Sequence, residues 1–401
     1  MRKSVWLIFL AAWGACFLFS QEKHEVTVTN IAVPLTVYEG DQFVGSLSRD
    51  DFELTEEGVS QKVLALYLID PAGVEKKGAE RDFNLSRRRN YFLLFQITEY
   101  NPKLAEAIHF LFQEAIRPGD NVIIQTPRQN YALSAQALAT KPRNGLAEEM
   151  NNLLKKDVKI GAGQYNSLLN DLKRMARDIS GLGHMDVEDT DSLTAASGLE
   201  FLLSRYKETV SQMEQQRLMD EKRILGFAGQ IRNIEGQKNV FFIYQREFRP
   251  ELQPSVVSRM IASYQDRQDI LASIQDLFMA YSRDVSLNPD RIEKAFSDAG
   301  INLYFIFMNK EPQNAAGVIM REQSEDVFKV FSRVAQATGG AVDTSQNPAA
   351  GFQRALERSK KYYLLYYSPE NYKKDGQFKN ITVRVKNREY AVSHRRGYYA
   401  R

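Results

Sequence analysis

The chain has 401 residues, of which 43% are hydrophobic and 26% charged, and its formal net charge is +3. These values are typical of a globular protein with room for two domains. They argue against nucleic-acid binding, because no basic run is longer than residues 87–89. The four histidines are scattered, without the spacing of metal ligands.

The amino-terminal residues 1–20 are typical of a signal peptide, with two basic residues followed by an apolar stretch from Val5 to Ala15. This stretch is too short to be a convincing membrane span. We therefore expect cleavage near Ser20 and an extracytoplasmic protein, located in the periplasm, in the cell envelope or outside the cell. The single cysteine, Cys16, follows a sequence that only loosely resembles a bacterial lipoprotein box. Lipidation of Cys16, which would give a membrane anchor, is the less favoured alternative to an ordinary signal-peptide cysteine.

Residues 24–70 have apolar side chains in alternation, interrupted by turns such as Glu39-Gly40-Asp41. Several short strands at this spacing predict part of a small β-sandwich. The following residues, 71–89, are polar and rich in Lys, Arg and Gly, and we interpret them as a linker.

From residue 90 the pattern changes to strands that alternate with helices. Continuous apolar runs predict buried strands of a parallel sheet at 91–95, 122–124, 239–244 and 302–308. We therefore expect an α/β domain with a doubly wound sheet over 90–360. Two helical stretches, 192–234 and 255–282, are long and amphipathic, and we regard them as candidate surfaces for a partner. An acidic cluster over 186–191 favours a solvated loop rather than a Ca²⁺ loop, since the glycine and the terminal glutamate of an EF-hand are missing.

The last segment, 361–401, again has the pattern of β-strands. Neither this segment nor residues 24–70 supplies enough strands for a stable sandwich alone. We therefore expect the two segments to form one β-sandwich into which the α/β domain is inserted.

Several segments, in this order, resemble those of bacterial von Willebrand factor A-related proteins. The matching segments are 45–63, with its G-S-L, D-F-E-L and E-E-G motifs, then 117–122 (RPGDNV), 335–340 (AQATGG), 363–369, 378–385 and 396–400 (RGYYA). The resemblance covers nearly all of the chain after the signal peptide. It implies a von Willebrand factor A-like domain of the Rossmann type within the sandwich.

In that family a metal-ion-dependent adhesion site lies at the carboxyl-terminal edge of the sheet. A D-x-S-x-S loop and a later aspartate supply its oxygen ligands, and the matching positions here are Gln96, Thr98, Tyr100 and Gln245. Divalent Mg²⁺ and Ca²⁺ prefer carboxylate ligands, and amides have replaced both carboxylates. The resemblance therefore implies a degenerate site without a metal ion. Metal binding through Glu99 or Glu247 is the disfavoured alternative.

The sequence contains no nucleophile elbow, P-loop or G-x-G-x-x-G motif after a strand, so we do not expect an enzyme or a cofactor. We expect an exported, non-enzymatic module that binds a protein partner or acts as a scaffold in the bacterial cell envelope. The alternative function is a metal-dependent adhesion module that binds a partner carboxylate through a divalent cation. An envelope hydrolase is the least favoured reading.

Overall fold

The computed structural model describes residues 29–86, 88–182, 192–217, 219–282, 287–345, 347–386 and 389–401. The expected signal peptide with Cys16 and the acidic cluster 186–191 lie outside these residues. Within the described ranges, no helix combines the length and the apolar character needed to cross a membrane.

Short strands come first, then strands alternating with helices, then strands again. In chain order the strands are β1 (Ile31–Glu39), β2 (Gln42–Phe43), β3 (Phe52–Glu56), β4 (Val59–Gln61), β5 (Val63–Ile69), β6 (Val74–Ala79), β7 (Arg89–Gln96), β8 (Asn121–Gln125), β9 (Asn130–Leu133), β10 (Gln237–Gln245), β11 (Phe248–Leu252), β12 (Ile301–Met308), β13 (Val318–Glu322), β14 (Ala341–Asp343), β15 (Tyr362–Tyr367), β16 (Phe378–Val385), β17 (Ala391–His394) and β18 (Gly397–Tyr399). The helices are α1 (Lys103–Phe110), α2 (Ala135–Thr140), α3 (Arg143–Gly161), α4 (Gly163–Leu182), α5 (Ser192–Arg217), α6 (Glu221–Ile231), α7 (Pro254–Ser263), α8 (Gln268–Ala280), α9 (Pro289–Asp298), α10 (Glu325–Ala337) and α11 (Pro348–Lys360).

Two antiparallel sheets combine strands from both ends of the described chain. One sheet has the order β17-β1-β15-β5-β6, with β2 paired to β1, and the other has the order β18-β16-β3-β4. In β1 every second side chain is buried, as expected for a strand with one face on a core. Val33 and Leu35 of the first sheet belong to the same apolar cluster as Phe52 and Val383 of the second. The two sheets therefore share one core between them.

The segment 71–89, interpreted above as a linker, contains a six-residue strand. Residues Val74–Ala79 form β6, which pairs antiparallel with β5 at the edge of the first sheet. The sequence of β6, VEKKGA, lacks an apolar alternation, and its residues are exposed or only partly buried. Lysines on an edge strand discourage pairing with further chains. Because β6 is polar, its sequence pattern did not indicate a strand.

The central sheet has six strands in the order β14-β12-β10-β7-β8-β9. The strands are parallel except for β9, which is antiparallel to β8 at the edge. When its six strands are numbered 1 to 6 in chain order, the sheet read from β9 has the order 3-2-1-4-5-6 of a doubly wound fold. In such a fold the direction of winding reverses between the first and fourth strands. Here those strands are β7 and β10, and every residue of β10 is buried.

Helices cover both faces of the central sheet. The helices α1, α3 and α11 pack on the face that contains Leu93, Phe241 and Ile306. The helices α6, α9 and α10 pack on the opposite face, which contains Phe242 and Phe305. The expected α/β class is therefore confirmed at the level of a mixed α/β fold with several sheets.

A group of helices has a separate core of its own. It consists of α4, α5, α7 and α8 together with the antiparallel ribbon of β11 and β13, and we call it the helical lobe. The stretch expected to be helical over 192–234 is two helices, α5 and α6, and the stretch over 255–282 is likewise divided into α7 and α8. Of these four helices, α5, α7 and α8 belong to the lobe, whereas α6 packs on the central sheet.

Candidate functional site

The candidate site lies at the carboxyl-terminal edge of the central sheet, where the direction of winding reverses. Strand β10 pairs with β7 on one side and with β12 on the other, so the three strand ends lie together. The loops after β7 and β12 place Thr98 and Lys310 beside Gln245, the last residue of β10. Ligands of doubly wound folds bind at this kind of position.

Gln245 ties the end of β10 to the loop after β7. Its buried side-chain oxygen accepts hydrogen bonds from the backbone N–H groups of Thr98 (3.0 Å) and Glu99 (2.9 Å). Its side-chain nitrogen donates to the carbonyl oxygen of Glu99 at 3.2 Å. An amide can donate and accept at once, whereas an ionised carboxylate can only accept. Glutamine therefore satisfies backbone groups of both kinds at this position.

Lys310 places an ammonium group at the same edge. Its Nζ donates to Oγ1 of Thr98 at 2.8 Å and lies 3.9 Å from a carboxylate oxygen of Glu99. The ammonium also lies over the ring of Tyr165, 5.7 Å from the centroid, in the range of a cation–π contact. Only 9% of the lysine side chain is exposed. The ammonium of Lys310 therefore binds the hydroxyl of Thr98, one of the site residues expected from the family resemblance.

Two of the four expected site residues, Thr98 and Gln245, are in contact, and the other two are not part of this contact. The Gln96 side chain is exposed at the end of β7. The Tyr100 hydroxyl donates to Asn151 on α3, and the ammonium of Lys155 lies over its ring. Partial burial raises the pKa of the Tyr100 hydroxyl.

The two glutamates of the alternative reading, Glu99 and Glu247, lie in different surroundings, and Arg246 precedes Glu247 in sequence. The guanidinium of Arg246 pairs with Glu322 of β13 at 3.1 Å and lies over the ring of Phe307. Glu247 is buried, and its backbone N–H donates to the hydroxyl of Ser324. The Glu99 side chain is 61% exposed. Among the described residues, no group of three or more His, Cys, Asp or Glu side chains is arranged to hold a metal ion.

These side chains do not fit a divalent cation. A hydroxyl that bonds an ammonium at 2.8 Å faces a positive charge, and a second cation there would be repelled. The Gln245 oxygen is likewise engaged by two backbone donors. The sequence analysis missed Lys310, although a signal was present: it follows the apolar run 302–308 by two residues, which places it at the carboxyl-terminal edge.

A cavity of about 400 Å³ opens next to this edge, and we call it the sheet cavity. Its apolar lining comes from the sheet face covered by α6 and from α6 itself; it includes Leu94, Val240, Phe242, Leu303, Ile224 and Phe227. Gln96, Thr98 and Gln125 line its polar end. Its volume is within the range of small-molecule sites, about 300–1,000 Å³.

Comparison with models of known protein families gives no match to this chain, and a search among curated proteins gives none either.

Proposed function

We propose that this chain is an exported, non-enzymatic protein-binding module of the bacterial cell envelope, built on a von Willebrand factor A-like domain within a β-sandwich. The 3-2-1-4-5-6 strand order of the central sheet supports the domain type. The pairing of β1 with β15 and β17 supports the insertion, because it joins residues from both ends of the described chain. The family resemblance and the expected signal peptide support the location.

The observation that carries the proposal is the contact of Lys310 with Thr98 beside Gln245. In the resembling family a divalent cation is bound at this edge and completes its shell with a partner carboxylate. Here an ammonium and an amide hold the loop after β7 in place without an added ion. The module we propose therefore binds its partner through its surface rather than through a metal.

The helical lobe is the surface best suited to a protein partner. Among the described residues, most of the large apolar side chains that are exposed lie on this lobe: Phe201, Ile261, Phe278, Met279 and Ile319. Apolar side chains of this size are costly to leave in water and are characteristic of interaction sites when they concentrate in one region. The lobe is also additional to the helices that cover the central sheet.

The test is a binding measurement with an identified partner. Chemical cross-linking in the native envelope would first identify candidates, which would then be purified and titrated against the full chain. We expect the lobe variant Phe201→Ser/Met279→Ser to raise the dissociation constant for the partner at least tenfold. A matched variant outside the lobe, Val59→Ser/Ile160→Ser, replaces side chains of similar exposure and is expected to change it less than twofold. Equal effects of both variants, or binding abolished by EDTA, would contradict the proposal.

A further inference from the structure

The sheet cavity lies on a part of the central sheet that helices cover incompletely. Phe242 and Leu303 on this face pack among the side chains of α6, α9 and α10. Toward β8 on the same face, Leu94 of β7 and Ile123 of β8 are only partly buried. The cavity therefore begins among buried side chains and opens toward β8.

The lining of the cavity extends along β10 from Val240 to Gln245, which is about 16 Å for five residue steps of a strand. A volume of about 400 Å³ with a lining of this length can hold an extended hydrocarbon chain. The buried part has apolar walls, among them Val240, Leu303 and Phe227.

The open end is polar and carries little net charge. The amides of Gln96 and Gln125 are exposed there on neighbouring strands, next to the hydroxyl of Thr98. The charged groups in the lining and beside it are of both signs. Arg223 lies 3.7 Å from Asp220, and the Lys310 ammonium on the Thr98 hydroxyl lies 3.9 Å from the Glu99 carboxylate; Glu247 is a further lining residue. Amide groups donate and accept hydrogen bonds, so this end suits hydroxyl groups better than an ionised group.

We propose that the sheet cavity binds a single-chain amphiphile with an uncharged, hydroxyl-bearing head, such as a monoacylglycerol or an alkyl glycoside. The hydrocarbon chain lies along β10 between the sheet and α6. The head group lies at the open end and bonds to the amides of Gln96 and Gln125. This binding is distinct from that of the protein partner proposed above, because none of the exposed apolar side chains assigned to the partner surface lines the cavity.

The first arm of the experiment measures affinity by calorimetric titration of the full chain below the micelle concentration of each probe. The probes are 1-monolauroylglycerol, its homologues with shorter chains, dodecyl maltoside and lauric acid. We expect the dissociation constant to rise about fourfold for each methylene removed from the hydrocarbon chain of the probe. We expect lauric acid to bind less well than 1-monolauroylglycerol, and comparison with dodecyl maltoside distinguishes a glycerol head from a sugar head.

The second arm uses cavity-filling variants. Leu94→Trp places an indole ring in the lining, and we expect at least a tenfold loss of affinity. Ile160→Trp adds the same ring at an exposed position outside the cavity and is expected to have no effect. If circular dichroism shows that Leu94→Trp is unfolded, Ile224→Trp on α6 replaces it. Absence of saturable binding, affinity independent of chain length, or equal affinity of filled and unfilled variants would overturn the proposal; tighter binding of lauric acid would overturn the assignment of the head group.

Discussion

The ammonium nitrogen of Lys310 lies 2.8 Å from the hydroxyl oxygen of Thr98, although 212 residues separate the two in sequence. The contact joins the loops after β7 and β12 across the end of β10. Gln245, between them, bonds to the backbone of the first loop. The carboxyl-terminal edge of the sheet is therefore held by side chains of the protein itself.

Replacement of Gln245 by leucine tests the role of its amide. The variant leaves the N–H groups of Thr98 and Glu99 without this acceptor, so we expect the free energy of unfolding to fall by about 1–3 kcal/mol. The exposed Gln96 provides the control: Gln96→Leu should change stability by less than about 0.5 kcal/mol. Urea denaturation of both variants measures the difference, and equal stabilities would show that the amide has no such role.

A charge-swapped edge should acquire metal affinity. In the double variant Gln245→Glu/Lys310→Met a carboxylate replaces the amide and the ammonium is removed, which leaves oxygen ligands from Thr98, Glu99 and the new glutamate. We expect saturable binding of Mg²⁺ by calorimetry, since this ion prefers carboxylate and hydroxyl oxygens. The single variant Lys310→Met keeps the neutral amide and is expected to bind more weakly. If the double variant binds Mg²⁺ no more tightly than the unmodified chain, the ammonium of Lys310 is not what excludes the ion.

A buried carboxylate connects the α/β part with the carboxyl-terminal strands. Glu293 on α9 pairs with Arg333 at 3.0 Å and also with Arg396, which lies between β17 and β18. The glutamate side chain is 2% exposed. Glu293→Gln removes the charge that both guanidinium groups bind, and we expect a loss of about 1–3 kcal/mol in the free energy of unfolding.

The neighbouring Asp290 is the matched control for Glu293. It also pairs with Arg333, but its side chain is 63% exposed, and exposed ion pairs contribute little. Asp290→Asn should therefore cost less than about 1 kcal/mol. Thermal and urea unfolding compare the two; a larger cost for Asp290→Asn than for Glu293→Gln would contradict this account of the connection.

His394 makes the stability of the sandwich dependent on pH. Burial lowers the pKa of its imidazole, and Nε2 accepts a hydrogen bond from the backbone N–H of Val383 at 3.2 Å. Because Nε2 accepts this bond, the neutral ring donates from Nδ1 to the carbonyl of Arg395 at 2.8 Å. The unfolded chain binds a proton more readily, so stability is present above the unfolded pKa of 6.5 and is lost as the pH falls through 6.5 toward the lower pKa of the folded state.

The loss below pH 6.5 amounts to at most about 1.4 kcal/mol per pH unit for one proton. His394→Gln has no titrating group, so its free energy of unfolding should vary less between pH 7 and pH 5 than that of the unmodified chain. Urea denaturation at several pH values gives both curves. Parallel curves would assign the pH dependence to other groups.

The parts of the fold that could be predicted are those whose sequence pattern agrees with their burial. The apolar run at β10 is buried along its whole length, and β1 has the alternation of a strand with one buried face. The pattern fails at β11, where FRPEL is fully buried despite its charges. Arg249 and Glu251 are tolerated there because they pair with each other at 2.6 Å, a contact that no local pattern indicates.

The candidate site was predictable to a similar extent. Thr98 and Gln245 were identified because they match adhesion-site positions of the resembling family, which lie at the carboxyl-terminal edge of the sheet. The direction of the Tyr100 side chain toward α3 was not predictable, because its partner Asn151 lies 51 residues away. The role of Lys310 depends on where its ammonium lies once β12 has paired with β10. The sequence does not show this position, because the lysine side chain is long and flexible.

The central claim is that an ammonium and an amide take the place of a cation at the edge of the sheet. Calorimetric titration of the unmodified full chain with Mg²⁺, Mn²⁺ and Ca²⁺ tests it most directly. We predict no saturable heat with any of the three ions. A micromolar isotherm that Thr98→Ala weakens would contradict the claim and would favour a metal-dependent adhesion module.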